Sequence, residues 1–490
     1  MMSLNKLTIQ RTTTLLVFMM LFAIALRVPT DTDTWWHLRS GDYTLSNGMI
    51  SGDPFSHTQA GEEWINHSWG AQLIMIGVWR VAGNAGLALY TAVFAVGGMA
   101  LLYNVMVGNT YVRAFTAILG ALTAAIFWSA RPQIISFFFL CLILWLLLRY
   151  KRDNADYLWA IVPIMWLWSN LHAGWAIGYL FLFAFLVGEA FNNVLGVKNN
   201  IISWAGWRKL LIFSTVSIPF LALSPYGIDN MLVPFATVNI EPLRAFIQEW
   251  QSPNFQNRGT WAFIAMILVL FLAFWNSRLP FDWSHFFLLS GALFLALLYS
   301  RNISVFAVAA TPLLTYHVDN ILTEREWQLR PRERVPRTMA LLNVTIIVVV
   351  VLGIGLYAVG LLLPTNVQIA QAEALPVDAV AYMNENELPS ELFNDYNWGG
   401  YLIFAAPDYP VFVDGRTDLY GDFVNTYNRM QLSIGDSATL ALLQQYDIRL
   451  VLMPVGAPLT ILLQDTAGWQ LEYEDEVASL WVMEGTSNDE

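Results

Sequence analysis

Apolar runs recur along residues 1–363, with mostly short polar stretches between them. A helix needs roughly 17–25 largely apolar residues to cross a bilayer core. Eleven runs approach or reach that length, at about 12–29, 85–107, 112–130, 132–149, 157–171, 174–196, 209–225, 260–276, 282–299, 303–321 and 339–363. They predict a polytopic α-helical membrane protein. HSWGAQLIMIGVWRVAG (67–83) is also apolar, but it is short and carries Arg80. It reads as a helix lying at the membrane interface. Two polar stretches are longer than the rest, 30–84 and 224–259. Beyond 363 the pattern changes. VFVDGR (411–416) and IRLVLMP (448–454) read as buried strands, ATLALLQQY (438–446) as a helix, and WQLEYEDE with VASLWVME as a closing hairpin. The chain divides into a membrane domain, 1–363, whose first outer loop is 30–84, and a soluble α/β domain, 364–490.

Composition supports this division. Of the 490 residues, 56% are hydrophobic and 13% charged, where a soluble protein carries about 25% charged residues. The 21 tryptophans suit belts at the two interfaces. Cys141 is the only cysteine, which excludes a disulfide within the chain and any CxxC pattern. The first apolar run lacks a small-residue cleavage site after it, so it reads as a retained anchor. Residues 1–363 hold 22 Lys+Arg and 17 Asp+Glu, a balance of +5, whereas 364–490 hold 3 and 20, a balance of −17. Such an acidic tail argues against nucleic acid as a partner.

Charge also orients the spans. With the N-terminus cytoplasmic, the inner segments hold 15 of the 25 basic residues, including all four lysines, Lys198, Arg330 and Arg332 among them. An odd number of spans then puts the tail outside, in a multi-pass cell-membrane protein. The basic residues left on the outer side of the membrane half are all arginines: Arg27, Arg39, Arg80, Arg131, Arg244, Arg258 and Arg301. Their planar forks suit phosphate or carboxylate partners.

On that same side lie DTDTWWHL (31–38), SGDPFSHT (51–58), EEWINHSW (62–69), ARPQ (130–133), SNLHAGW (169–175), SPYG (224–227), EPLRAFIQEW (241–250) and SRNIS (300–304). Four of the six histidines belong to them: His37, His57, His67 and His172. Polar groups at span ends are costly unless they meet partners or water, so their convergence predicts a polar cavity open to the outside. Asp31, Asp33, Asp53, Glu62 and Glu63 offer a general base or oxygen ligands for a divalent ion. Arg131, Arg244 and Arg301 offer an anion clamp, with Asp53, His67, His172 and Glu249 lining the substrate side. Trp35, Trp36, Trp64 and Trp69 offer faces for a sugar ring or a lipid.

An acidic pair just after the first span, a long first outer loop, some ten further spans and an outer soluble domain together resemble the GT-C class of membrane glycosyltransferases. That class includes protein O-mannosyltransferases, the aminoarabinose transferase acting on lipid A, and the catalytic subunit of oligosaccharyltransferase. DTDTWWHLRSGDY…GDPFSHT…EWINHSW in the first loop, with NDYNWGGYLIF and VFVDGRTDLYG in the tail, resemble bacterial GT-C-like proteins in particular. The resemblance covers most of the chain and is more specific for fold than for substrate. It implies a polyprenyl-phosphate-linked sugar donor, membrane lipid as a partner, and transfer to an acceptor hydroxyl on the extracytoplasmic side; because the sequence places no second carboxylate as a nucleophile, direct displacement with inversion is expected. The catalytic acid residue of the class matches Asp31 or Asp33, with His37 as support. A divalent cation, magnesium or manganese, held by Asp31 and Asp33, is left open.

The same residues have plainer readings. Asp31 and Asp33 could cap the next helix. Asn170 with His172, and Glu249 with Arg244, would serve as structural pairs, and DGRTD (414–418) as a turn held by salt bridges of Arg416. Trp35 and Trp36 would anchor the membrane interface. Two rival functions stand beside the enzyme: a transporter or flippase for a lipid-linked solute, and a non-catalytic scaffold with the same fold. A transporter would carry polar groups through the membrane depth and inverted repeats; neither stands out in the sequence.

Overall fold

The computed structural model describes residues 6–197, 200–327 and 334–484. Lys198, Arg330 and Arg332 lie outside the described residues. In chain order the helices are α1 (Ile9–Ala25), α2 (Asp33–Asn47), α3 (Trp69–Val105), α4 (Thr110–Ala124) and α5 (Gln133–Asp153). Then follow α6 (Ile161–Leu171), α7 (Trp175–Val194), α8 (Trp204–Phe220), α9 (Asp229–Val238) and α10 (Glu241–Phe246). The membrane set closes with α11 (Trp261–Asn276), α12 (Trp283–Leu298), α13 (Ile303–Glu324) and α14 (Arg337–Leu362). A helix lies at each of the eleven predicted runs. Seven described helical stretches are long and apolar enough to cross a membrane unaided, and α1, Leu158–Leu171 and α12 are shorter apolar helices. The most apolar 18-residue window of α14 has a mean hydropathy of 2.7 and none of it is buried within the protein. A surface of that kind requires lipid as its solvent.

The fold divides into two compact units. The first comprises the chain up to Arg27, Ala88–Met231 and Gln248–Leu361. Four of its helices start where a side chain accepts an unpaired N–H group. Thr8 caps α1, Asn109 caps α4, Ser203 caps α8 and Asp282 caps α12. One ionic cluster ties three of them. Lys151 Nζ near the end of α5 reaches Glu189 Oε1 of α7 at 2.5 Å, Asp282 Oδ2 at 2.5 Å and Ser284 Oγ of α12 at 2.7 Å. Buried charges of this kind are tolerable only when paired and hydrogen-bonded. Glu189 Oε2 accordingly accepts the Ile202 N–H at 2.8 Å. Beside the cluster, a Cβ on Gly188 would lie 2.2 Å from the Ser284 Cα, so only glycine lets α7 and α12 approach this closely.

The second unit comprises Val28–Leu87, Leu232–Ile247 and the chain from Leu362 onward. The stretch read from sequence as the first outer loop therefore folds with the tail. Its helix α2 packs on α15 (Tyr396–Ala405), where a Cβ on Gly400 would stand 2.6 Å from the Thr32 carbonyl oxygen and 3.0 Å from Trp36 Cδ1. The four-stranded sheet has the order β1 (Leu392–Asn394), β2 (Leu450–Pro454), β4 (Ala478–Met483), β3 (Trp469–Glu474). β1 and β2 run parallel, and β4 is antiparallel to both β2 and β3. The expected strand near 448–454, the hairpin and the helix near 438–446 are present.

Two expectations need correction, and a third holds. VFVDGR is extended but belongs to no sheet strand. Its backbone is satisfied instead by the Asn394 side chain, which receives the Phe412 N–H and donates to Val413 O, both at 2.8 Å, and by residues 55–58. The segment 67–83 forms a helix of its own, as expected: the stretch labelled α3 (Trp69–Val105) breaks at Gly83 (φ 53°, ψ −137°), a left-handed φ that glycine tolerates, and a second helix follows the kink. Trp35 and Trp36 are not membrane-interface anchors, being 3% and 5% exposed. Trp35 packs edge-on to Trp79 and Tyr401, and Trp36 belongs to the core built with Trp64, Trp398 and Leu402.

Candidate functional site

The acidic pair opens α2 in the second unit. Asp31 Oδ1 accepts the Asp33 N–H at 3.0 Å, and Asp33 Oδ1 accepts the Trp36 indole N–H at 3.1 Å. The second contact follows from helical spacing, since residues three apart share a face. Trp36 lies against the His37 ring, tilted by 35° with ring centroids 3.5 Å apart. His37 Nδ1 lies 3.2 Å from Gln72 Nε2, and Gln72 exchanges two hydrogen bonds with Asn66 at 2.7 and 2.8 Å. His37, Gln72 and Asn66 are all buried. From the tail, Gly415 presses on the same carboxylate: a Cβ there would lie 2.0 Å from Asp33 Oδ1.

Asp53 is committed to structure. Its Oδ1 receives Arg416 Nη1 at 2.5 Å, and its Oδ2 receives the Ser56 N–H at 3.0 Å and the Ser56 hydroxyl at 2.5 Å. Arg416 also forks onto Asp414 at 2.6 and 2.8 Å, and Tyr420 donates to Asp414 Oδ2 at 2.8 Å. Its guanidinium lies over the Trp64 and Phe55 rings, 4.8 and 5.2 Å from their centroids. Burial opposes the charge on Arg416, yet Asp414, then Tyr420 and Asp53, outweigh it and hold its pKa well above the usual value. The DGR turn is therefore held by Arg416 salt bridges, and one partner is in the first loop. His67 Nδ1 stands 3.9 Å from Asp418 Oδ2, which also receives the Trp64 indole N–H at 3.1 Å. Arg244, on α10, is exposed.

The other predicted residues lie in the first unit. Glu249, on a single turn (Gln248–Trp250), is bracketed by two arginines: Arg301 Nη1 at 3.3 Å from Oε1 and Arg131 Nη1 at 3.7 Å from Oε2. These are the ion pairs of Glu249, in place of the pairing with Arg244 read from sequence. Burial raises the Glu249 pKa, but Arg301 and then Arg131 overcome it and hold the carboxyl below its ordinary value. Arg301 also sits over the Trp250 ring, 4.4 Å from its centroid. His172 Nδ1 meets Ser136 Oγ at 2.7 Å and accepts the Gly174 N–H at 3.0 Å, which fixes the α6–α7 junction.

The structure thus gathers the site residues into two sets, an oriented carboxylate pair in one unit and an arginine pair around a carboxylate in the other. Among the described residues no group of three His, Cys, Asp or Glu side chains gathers as around a metal ion. Asp31 and Asp33 supply two carboxylates, the number through which magnesium is commonly held while waters and substrate phosphates complete its octahedron. Trp36, Gly415 and Trp250 were not singled out by sequence for these contacts. Only the Asp33–Trp36 spacing carried a readable signal.

No protein-family model matches the chain, and no curated relative matches it by sequence. Solved structures match it by fold. The oligosaccharyltransferase of Archaeoglobus fulgidus, tethered with an acceptor peptide containing the NVT sequon, gives a TM-score of 0.55 at 13% identity, over 91% of this chain and 69% of its own. The same organism's AglB, in complex with an inhibitory peptide and a dolichol-phosphate, gives 0.54 at 13% over 96% and 74%. ArnT from Cupriavidus metallidurans bound to undecaprenyl phosphate gives 0.51 at 14% over 96% and 97%. Both are GT-C glycosyltransferases, and the fold of this chain is the GT-C fold, with a membrane-spanning helical part and a small C-terminal sheet.

Proposed function

We propose that the protein is a membrane glycosyltransferase that moves a sugar from a polyprenyl-phosphate-linked donor to an acceptor hydroxyl on the extracytoplasmic side. The observation that carries this reading is the oriented Asp33 carboxylate, at the head of the loop that follows α1 in a GT-C fold. A base must be ionised and correctly aimed. The Trp36 indole N–H serves the aim, because it fixes one carboxylate oxygen of Asp33. Asp31, bonded to the Asp33 backbone, acts as the positioning residue.

In the reaction the acceptor oxygen attacks the anomeric carbon while its proton passes to Asp33. The carbon–oxygen bond to phosphate breaks, and the polyprenyl phosphate leaves with the electron pair. One displacement inverts the anomeric centre. Arg131 and Arg301 stabilise the charge that grows on the departing phosphate, the kind of interaction that lowers a barrier most. The undecaprenyl phosphate bound by ArnT and the dolichol-phosphate bound by AglB are lipid phosphates of the kind such a donor would leave behind, and they support this class of substrate.

The test is release of undecaprenyl phosphate from an undecaprenyl-phosphate sugar by the purified full chain in nanodiscs, with membrane extract supplying acceptors. Wild-type release that disappears in Asp33→Asn supports the reading. Undiminished release in both Asp31→Asn and Asp33→Asn would sink it.

A further inference from the structure

Two guanidinium groups close on one carboxylate, each on a different oxygen, make a seat of the size and charge that an oxyanion fills. In this structure the oxyanion is the chain's own Glu249. We infer that Glu249 is a built-in occupant of a phosphate seat, and that a phosphate group takes Arg131 and Arg301 only by displacing it. The inference rests on the proposed use of the two arginines, and adds to it a self-inhibiting contact.

Three features support an exchange. The backbone around Glu249 is pinned independently of its carboxylate: Ser300 Oγ donates to Gln248 O and Glu249 O at 3.1 Å each, and the Ser300 N–H to Gln251 O at 2.8 Å. The carboxylate sits on a two-methylene arm, so rotation about side-chain bonds suffices to move it. Trp250 keeps Arg301 in place, through its face at 4.4 Å, whether or not Glu249 is present.

Charge sets the preference. A phosphomonoester, near −2 at neutral pH, set beside Glu249 meets its carboxylate with two negative charges, and displacing Glu249 removes that repulsion. A phosphodiester carries one negative charge and gains less from the exchange. The occupant therefore weakens monoesters more than diesters, which in the proposed reaction means it competes with the product more than with the donor.

The experiment measures equilibrium binding of undecaprenyl monophosphate, an undecaprenyl phosphodiester and inorganic phosphate to the full chain in nanodiscs. Wild type, Glu249→Gln, Glu249→Ala and Arg301→Ala are compared, each first shown to be monodisperse. The expectation is that Glu249→Gln tightens the monophosphate by roughly tenfold, the effect of removing one charge-assisted competitor, and the diester by less. Tightening for the lipid and not for free phosphate assigns the seat to a lipid headgroup; tightening for both assigns it to phosphate in general. Binding that is lost in Arg301→Ala but unchanged in both Glu249 variants overturns the occupant and leaves the phosphate clamp standing. Binding unaffected by Arg301→Ala overturns both.

Discussion

Arg416 and Asp53 meet at 2.5 Å across 363 residues of chain, with both side chains wholly buried. The contact fastens the first loop to the DGR turn of the tail, and with it the ground on which Asp33 rests. Removing one member of a buried pair leaves the other charge uncompensated and costs about 3–5 kcal/mol. Asp53→Asn should therefore lower the thermal midpoint of the full chain in detergent markedly. Asp42→Asn, which breaks a half-exposed contact with Arg80, should change stability by no more than about 1 kcal/mol. Equal effects of the two substitutions would contradict the structural weight given to Asp53.

The membrane helices were legible because a helix in lipid must satisfy its backbone internally, so each run of apolar residues carries its own fold. The tail was partly legible. β2 and the hairpin announce themselves by pattern, but VFVDGR looks like a strand and is not one, because Asn394 and residues 55–58, far off in sequence, take its backbone bonds. The site shows the same limit. Asp33 and Trp36 are three apart, and their contact is implied by the helix. Glu249 lies five residues from Arg244, yet its partners Arg131 and Arg301 come from the starts of two other helices. Local spacing could not choose between them.

The indole bond to Asp33 separates a catalytic group from its support. A general base contributes about 10²–10⁴-fold, so Asp33→Asn should lower sugar transfer by that order with donor binding intact. Trp36→Phe keeps a ring in the core but removes the N–H. Hydrogen bonds to charged groups are worth about 1.5–3 kcal/mol, so a loss of roughly 10- to 100-fold in the rate of transfer is expected, with little change in donor KM. A Trp36→Phe enzyme with wild-type turnover would remove the indole from the mechanism.

Gly415 tests the same carboxylate from the opposite side. A Cβ there would fall 2.0 Å from Asp33 Oδ1 and 3.5 Å from the Trp36 indole nitrogen. Backbone strain is not at issue, so Gly415→Ala acts by pushing the carboxylate aside. Misplacing a reacting group by about 1 Å can cost about 100-fold in rate. Transfer should fall far more than stability does. Gly77→Ala, where nothing lies within 4 Å of the added carbon, is the control. If Gly415→Ala transfers sugar as fast as Gly77→Ala, the turn does not shape the site.

His57 predicts a pH dependence of stability. Its Nε2 lies 3.0 Å from the Leu392 carbonyl oxygen, a bond that requires the proton on that nitrogen. Burial pushes its pKa below the ordinary value, against smaller upward pulls from the Leu392 carbonyl and Glu391. The folded ring therefore stays neutral at a pH where an unfolded histidine, with a pKa of about 6.5, already takes up a proton. Between the two pKa values the unfolded state binds more protons, so stability falls as pH falls. The loss should begin as pH drops through about 6.5 and level off below the folded pKa. Thermal midpoints of the full chain at pH 7.5 and 5.5, for wild type and His57→Gln, isolate this contribution from other titrating groups. Glutamine keeps an N–H donor for Leu392 without the proton uptake, so its midpoint should drop less between the two pH values. An equal drop in both proteins would rule His57 out as a source of acid sensitivity.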